Sequence, residues 1–155
     1  MALSKYTSDI KFIDQNEEVV FNYLANFDNF SHYLNESVLD KVSQQVPQIK
    51  VTDFESDNDS CRFNITGMGQ SEIRIVNREP FKTIKIESSG KLPVEITFWI
   101  QLMAVTPSQT KMKLTLHAEM GMMIKMMAGK KLEAGINQLA DMLAQLPYRN
   151  RSENL

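Results

Sequence analysis

At 155 residues the chain has the size of one domain, long enough to bury roughly 70% of its unfolded surface around a single core. With 43% hydrophobic residues, 23% charged residues and a formal net charge of −2, it carries no general basic field that would hold nucleic acid or an anionic bilayer. No apolar run approaches the roughly 20 residues of a membrane span, "MALSKYTSDIKF" lacks the apolar core of a signal peptide, and the lone Cys61 excludes an internal disulfide. This fits a reducing compartment, and the cytoplasm is the expected location.

The opening "KYTSDIKFID" alternates, with Tyr6, Ser8, Ile10 and Phe12 on one side and Lys5, Thr7, Asp9 and Lys11 on the other. That is the pattern of a strand with one covered face. Asp14 then stands where a helix cap belongs, and Glu17, three residues on, can reach back to it. Val20, Leu24 and Phe27 recur at helical spacing, and "NFSHYLNE" reads as a second short helix, followed by a loop up to Pro47.

Beyond Pro47 the period becomes two. "IKVTDFE" and "CRFNI" flank the turn formers "SDNDS", "SEIRIVN" and "KTIKIES" flank "REPF", and "PVEITFWIQLMAV" and "TKMKLTLHAEM" flank "TPSQ". Each pair reads as a hairpin. In the third, Val94, Ile96, Phe98, Ile100 and Leu102 share a face with Met112, Leu114, Leu116 and Ala118, while Lys111, Lys113, Thr115, His117 and Glu119 point the other way. The last element is one helix over 123–146, ended by Pro147, which disfavours helical geometry in the residue before it.

The order predicts an α+β chain: strand, two short helices, six strands, one long helix. A seven-stranded antiparallel sheet has one apolar face to cover, and only the C-terminal helix is long enough to cover it. A curved sheet wrapped around a single helix leaves a cavity between them. Residues 1–147 make one domain and 148–155 a flexible polar tail.

"IKFIDQNEEVVFNYLANFDNFSHYL" and "GKKLEAGINQLADML" carry a resemblance to the START-like superfamily, also called the SRPBCC or birch-pollen-allergen fold, and to its bacterial members labelled polyketide cyclase-like. The resemblance covers nearly the whole chain. It implies a helix-grip architecture and a pocket for a hydrophobic ligand, used variously for carriage, cyclisation, hydrolysis or partner binding. A common version of the family has tryptophan near positions 32 and 33. Here His32 and Tyr33 stand there, and Trp99 lies on a strand.

"MGMMIKMMAGKK" places five methionines within Met120–Met127. At 100° per residue, Ile124, Ala128, Leu132, Gly135, Leu139, Met142, Leu143 and Leu146 form the gripped stripe; Met127 borders it and Met122, Met123 and Met126 fall away. Packing under neighbouring loops is the first reading of these methionines. A flexible cavity mouth is the second, and a dimer or partner patch the third. Copper(I) would accept thioethers, but no cysteine or histidine accompanies them in sequence, and a lipid-surface helix would need a basic polar face. Close approach to the sheet is the expected reason for Gly135.

Among polar residues, Lys131 projects near the stripe and could meet an anionic head group, or else snorkel to water. Asp53 has inward strand parity unless a bulge turns it, and His32 lies one turn from Asp28 and Glu36, the arrangement of an oriented base. No H-E-x-x-H, C-x-x-C, G-x-S-x-G or phosphate-binding glycine loop occurs. The expected function is therefore binding or carriage of a small hydrophobic or amphipathic ligand (lipid-, polyketide- or steroid-like). Its contacts would be Phe98, Ile100, Leu114 and Leu116, with Met123 and Met127 at the entrance and Tyr6 or Lys131 as polar contacts. No catalytic residue, metal or cofactor is assigned, and no nucleic acid or membrane span is expected. The alternatives are a cyclase or dehydratase using Asp53 or His32, and a protein-docking module or homodimer using the off-stripe methionines.

Overall fold

The structure, a computed structural model, describes residues 2–30, 51–65, 69–90, 95–146 and 148. Among them are eight strands and three helices: β1 (Ala2–Thr7), β2 (Lys11–Ile13), α1 (Glu17–Leu24), α2 (Phe27–Phe30), β3 (Val51–Ser56), β4 (Ser60–Ile65), β5 (Gly69–Glu79), β6 (Thr83–Gly90), β7 (Glu95–Thr106), β8 (Gln109–Met120) and α3 (Met122–Ala144). The strands form one sheet in the order β1-β8-β7-β6-β5-β4-β3, with β2 also paired to β8. All pairings are antiparallel. This is the expected α+β helix-grip arrangement, with one strand more than the seven predicted.

The extra strand arises because the first one is broken. Ser8 turns its hydroxyl to accept from the Leu114 N–H at 2.9 Å, while its own N–H donates to the Leu114 carbonyl at 2.9 Å. The side chain thereby replaces a ladder acceptor and the chain resumes as β2 with its faces exchanged. Ile13 is buried, whereas Ile10 and Phe12, expected inside, are exposed. A period-two pattern fixes a face only until a bulge shifts it.

At α1 the expected cap is displaced by two residues. Asn16 is the cap, its Oδ1 accepting from the Glu18 N–H at 2.9 Å, and Asp14 instead accepts from the Gln109 amide at 3.1 Å. Val20, Phe21, Tyr23 and Leu24 face inward, and α1 packs on β7 and β8. In the first hairpin, the Asp57 carboxylate accepts from the N–H groups of Asp59 and Ser60 and from Arg62. Arg62 first, then these N–H groups, hold Asp57 well below the usual carboxylate range.

In the third hairpin the residues expected to share a face do so, with Phe98 opposite Leu116, Ile100 opposite Leu114 and Leu102 opposite Met112. Helix α3 ends at Ala144, two residues before the expected stop. Tyr148, expected at the head of a polar tail, is instead buried; its hydroxyl donates to the Leu143 carbonyl at 2.6 Å and its ring meets Tyr23 at 4.9 Å. It closes the C-terminal end of α3 against α1. The second short helix beyond Phe30, and with it His32, Tyr33 and Glu36, lies outside the described residues, as does Val94.

Candidate functional site

Helix α3 meets the sheet mainly through β1, β2 and β8. Two side chains one turn apart fix that seat: Asn137 accepts the Asp9 N–H at 2.8 Å, and Asp141 pairs with Lys11 at 2.7 Å. The Asp141 contact raises the Lys11 pKa. With this side of the helix held against the β1–β2 break, Ile136, Ala140 and Leu143 turn down into the core. The buried line is therefore rotated from the predicted stripe. Leu132, Gly135, Leu139 and Met142 form a flank that keeps partial exposure. A Cβ built on Gly135 meets nothing within 4 Å, so close approach to the sheet does not explain this glycine. Open space lies beside it.

The inner face of the sheet is likewise divided. One row across it runs Tyr6–Leu116–Phe98–Ile86–Ile75 and the next runs Leu114–Ile100–Ile84. The second row is closed: Leu114 and Ile84 are 0% exposed and Ile100 2%. Burying each such side chain contributes about 1.5–3 kcal/mol. In the first row Tyr6, Leu116 and Phe98 stay partly exposed while packing on the core, as does Ile73 on β5, whereas Ile86 and Ile75 at the far side of the same row are buried. At the same end of the sheet, the hydroxyls of Ser4 and Ser71 are buried and have no hydrogen-bond partner among the described residues. A partly exposed apolar wall on the sheet and a partly exposed flank of α3 are thus the features from which an apolar site could be built.

The expected contacts divide accordingly. Tyr6, Phe98 and Leu116 come together on one wall. Ile100 and Leu114 lie in the next row and are buried, on strands against which α1 packs; alternation assigns a face but not which part of it is covered. Met123 stands in the first turn of α3, outside any packing: Met122, Met123 and Met126 are 75%, 76% and 82% exposed. The helix begins at Met122, so the reading that these methionines pack under loops is overturned. The side chains of Met127, Lys131 and Asp53 lie outside the described residues; a register shift between Thr52 and Glu55 falls across the last of these positions. Ile73, Leu139 and Met142, which are also partly exposed, were not among the expected contacts. A glycine in the middle of an apolar helical stripe was the one sequence signal for the open flank.

Trp99 and His117 lie on the outer face, edge to face at 4.6 Å, with the Lys85 ammonium 5.8 Å from the indole. Cys61 is buried. Among the described residues no three His, Cys, Asp or Glu side chains gather as metal ligands, and no helix is long and apolar enough to cross a membrane.

No protein-family model matches the sequence, and no curated protein matches it. Solved structures do. The chain is similar to norcoclaurine synthase from Thalictrum flavum in complex with dopamine and hydroxybenzaldehyde, with a TM-score of 0.62 at 9% identity over 94% of this chain and 86% of that one. It is similar to a conserved protein from Geobacillus kaustophilus, with a TM-score of 0.59 at 13% identity over 97% and 96%. It is also similar to the Aha1 dimer from Colwellia psychrerythraea, with a TM-score of 0.56 at 17% identity over 94% and 98%. The chain has a START-like, or SRPBCC, fold.

Proposed function

We propose that this protein binds a small hydrophobic or amphipathic molecule in the cleft between the inner sheet face and α3. One observation carries the reading: Tyr6, Phe98 and Leu116 belong to the apolar inner row yet remain partly exposed, whereas Leu114 and Ile100 in the next row are sealed. A domain of this size gains by closing such a wall, at about 25 cal/mol per Å² of apolar surface, so an open one is suited to a ligand that closes it. The open space at Gly135 supports the same reading from the helix side. In this reading Met123 and Met127 serve as flexible entrance residues, and Lys131 is the candidate contact for a head group.

Carriage of a lipid-, polyketide- or steroid-like molecule in the cytoplasm is the finer form of this proposal. Native mass spectrometry of protein purified from its own cells tests it. The expected result is an apolar adduct that is released on denaturation. Protein that is ligand-free in every preparation would overturn the proposal.

A second reading is favoured by the exposure of Met122, Met123 and Met126: a homodimer built on this patch. A dimer is also what the structure from Colwellia psychrerythraea is called. Size-exclusion chromatography of Met122→Glu/Met126→Glu decides it, since loss of a dimer supports this reading and an unchanged profile removes it.

A further inference from the structure

The outer face of the sheet, opposite the cleft, carries a groove of about 290 Å³ across β7 and β8. Register explains its shape. Gln101 pairs with Lys113 and Met103 with Lys111, and all four side chains have the outward parity, so they stand as two walls. Between them the Leu102–Met112 pair turns its side chains into the core, Leu102 7% and Met112 1% exposed, and leaves strand backbone as the floor. Ile10, thrown outward by the break at Ser8, closes one end. Beyond it the apolar surface continues: Phe12, opposite Lys111, is 57% exposed and Met103 59%.

Its polar groups are of one kind. Thr115 Oγ1 donates to Gln101 Oε1 at 2.8 Å, which leaves the amide N–H groups of Gln101 as donors to the groove. Lys111 and Lys113 can only donate, and among the described residues neither has a carboxylate within ion-pair distance. Among the described residues no acidic side chain lines the groove. The chain as a whole is net negative, so this is a local reversal of sign. The two lysines are about 7 Å apart along the strand, two strand residues, which suits carboxylates on one face of a peptide. The groove is open and at the low end of the roughly 300–1,000 Å³ of small-ligand pockets. It has room for one or two anchoring side chains rather than for a whole ligand.

We infer that this face docks an acidic, amphipathic segment of a partner protein: an aliphatic or aromatic side chain seats between the Gln101–Lys113 and Met103–Lys111 walls, and flanking carboxylates meet the two lysines. The attraction is electrostatic and surface-exposed, so it weakens as salt rises.

The test is titration of the full, nitrogen-15-labelled chain with a synthetic amphipathic peptide of leucine and glutamate, and with its leucine and lysine counterpart. The glutamate peptide is expected to shift the amides of 101–103 and 111–113, the lysine peptide to leave them in place. Lys111→Glu/Lys113→Glu, whose amide spectrum also reports whether the fold is kept, should weaken binding by at least about tenfold, or 1.4 kcal/mol. Met103→Ala should weaken it with the charges intact. Four results would overturn the inference. The glutamate peptide could fail to bind, or bind the charge-reversed variant equally well. Decanoate could shift the same amides as strongly, which makes the groove a small-amphiphile site. A concentration-dependent dimer lost in the charge-reversed variant would make the occupant a second copy of this chain.

Discussion

Ser8 and Leu114 exchange two hydrogen bonds, one through the Ser8 backbone and one through its side chain, both 2.9 Å. This reciprocal pair breaks the first strand, turns Ile10 and Phe12 outward and brings Lys11 under Asp141. The outer groove inherits one edge from it, through Ile10. Ser8→Ala leaves the Leu114 N–H buried without an acceptor, at an expected cost of about 1–3 kcal/mol. Urea denaturation reads the loss, and faster amide exchange at Leu114 locates it.

Gly135→Ala should stabilise the protein by about 1 kcal/mol, because helical propensity favours alanine and the added methyl meets open space. A denaturation midpoint that falls instead would mean that the helix flank is closed.

Burial raises the Tyr148 pKa far above its ordinary value. The folded state therefore prefers the neutral phenol. Its contribution is whole below the unfolded value near 10 and is lost as pH rises beyond it. Tyr148→Phe gives up the bond to the Leu143 carbonyl, about 1 kcal/mol at neutral pH, and should show a shallower alkaline decline than the parent between about pH 9 and 11. Parallel stability curves would contradict this.

The sign is opposite at Asp57. Arg62 and the Asp59 and Ser60 N–H groups lower its pKa, so its contribution is whole above the unfolded carboxylate value near 3.9 and fades as pH falls below it. Asp57→Asn should flatten the acid limb of the stability curve, measured as denaturation midpoints from about pH 6 down to 3. An unaltered acid limb would show that the ionised Asp57 adds nothing to the hairpin.

Legibility followed the range of the interactions. The alternation of Phe98, Ile100 and Leu102 against Leu116, Leu114 and Met112 could be read from the sequence because local period and register agree. The break at Ser8 could not, since "TSD" has no glycine or proline to announce it. The cap moved from Asp14 to Asn16 because Gln109, 95 residues away in the chain, engages Asp14. Parity put Tyr6, Phe98 and Leu116 on one face with Leu114 and Ile100, but that the last two are buried and the first three partly exposed is a tertiary fact.

The claim on which the rest depends is that Leu116, Phe98 and the Gly135 flank of α3 border space that an apolar molecule fills. Titration with Nile red, a neutral apolar dye, on the parent and on Leu116→Trp tests it most directly. The account predicts saturable fluorescence enhancement by the parent and at least about a tenfold loss of affinity in Leu116→Trp, with the circular dichroism of the fold retained. A parent that leaves the dye dark, or a tryptophan variant that binds it equally well, would contradict the account.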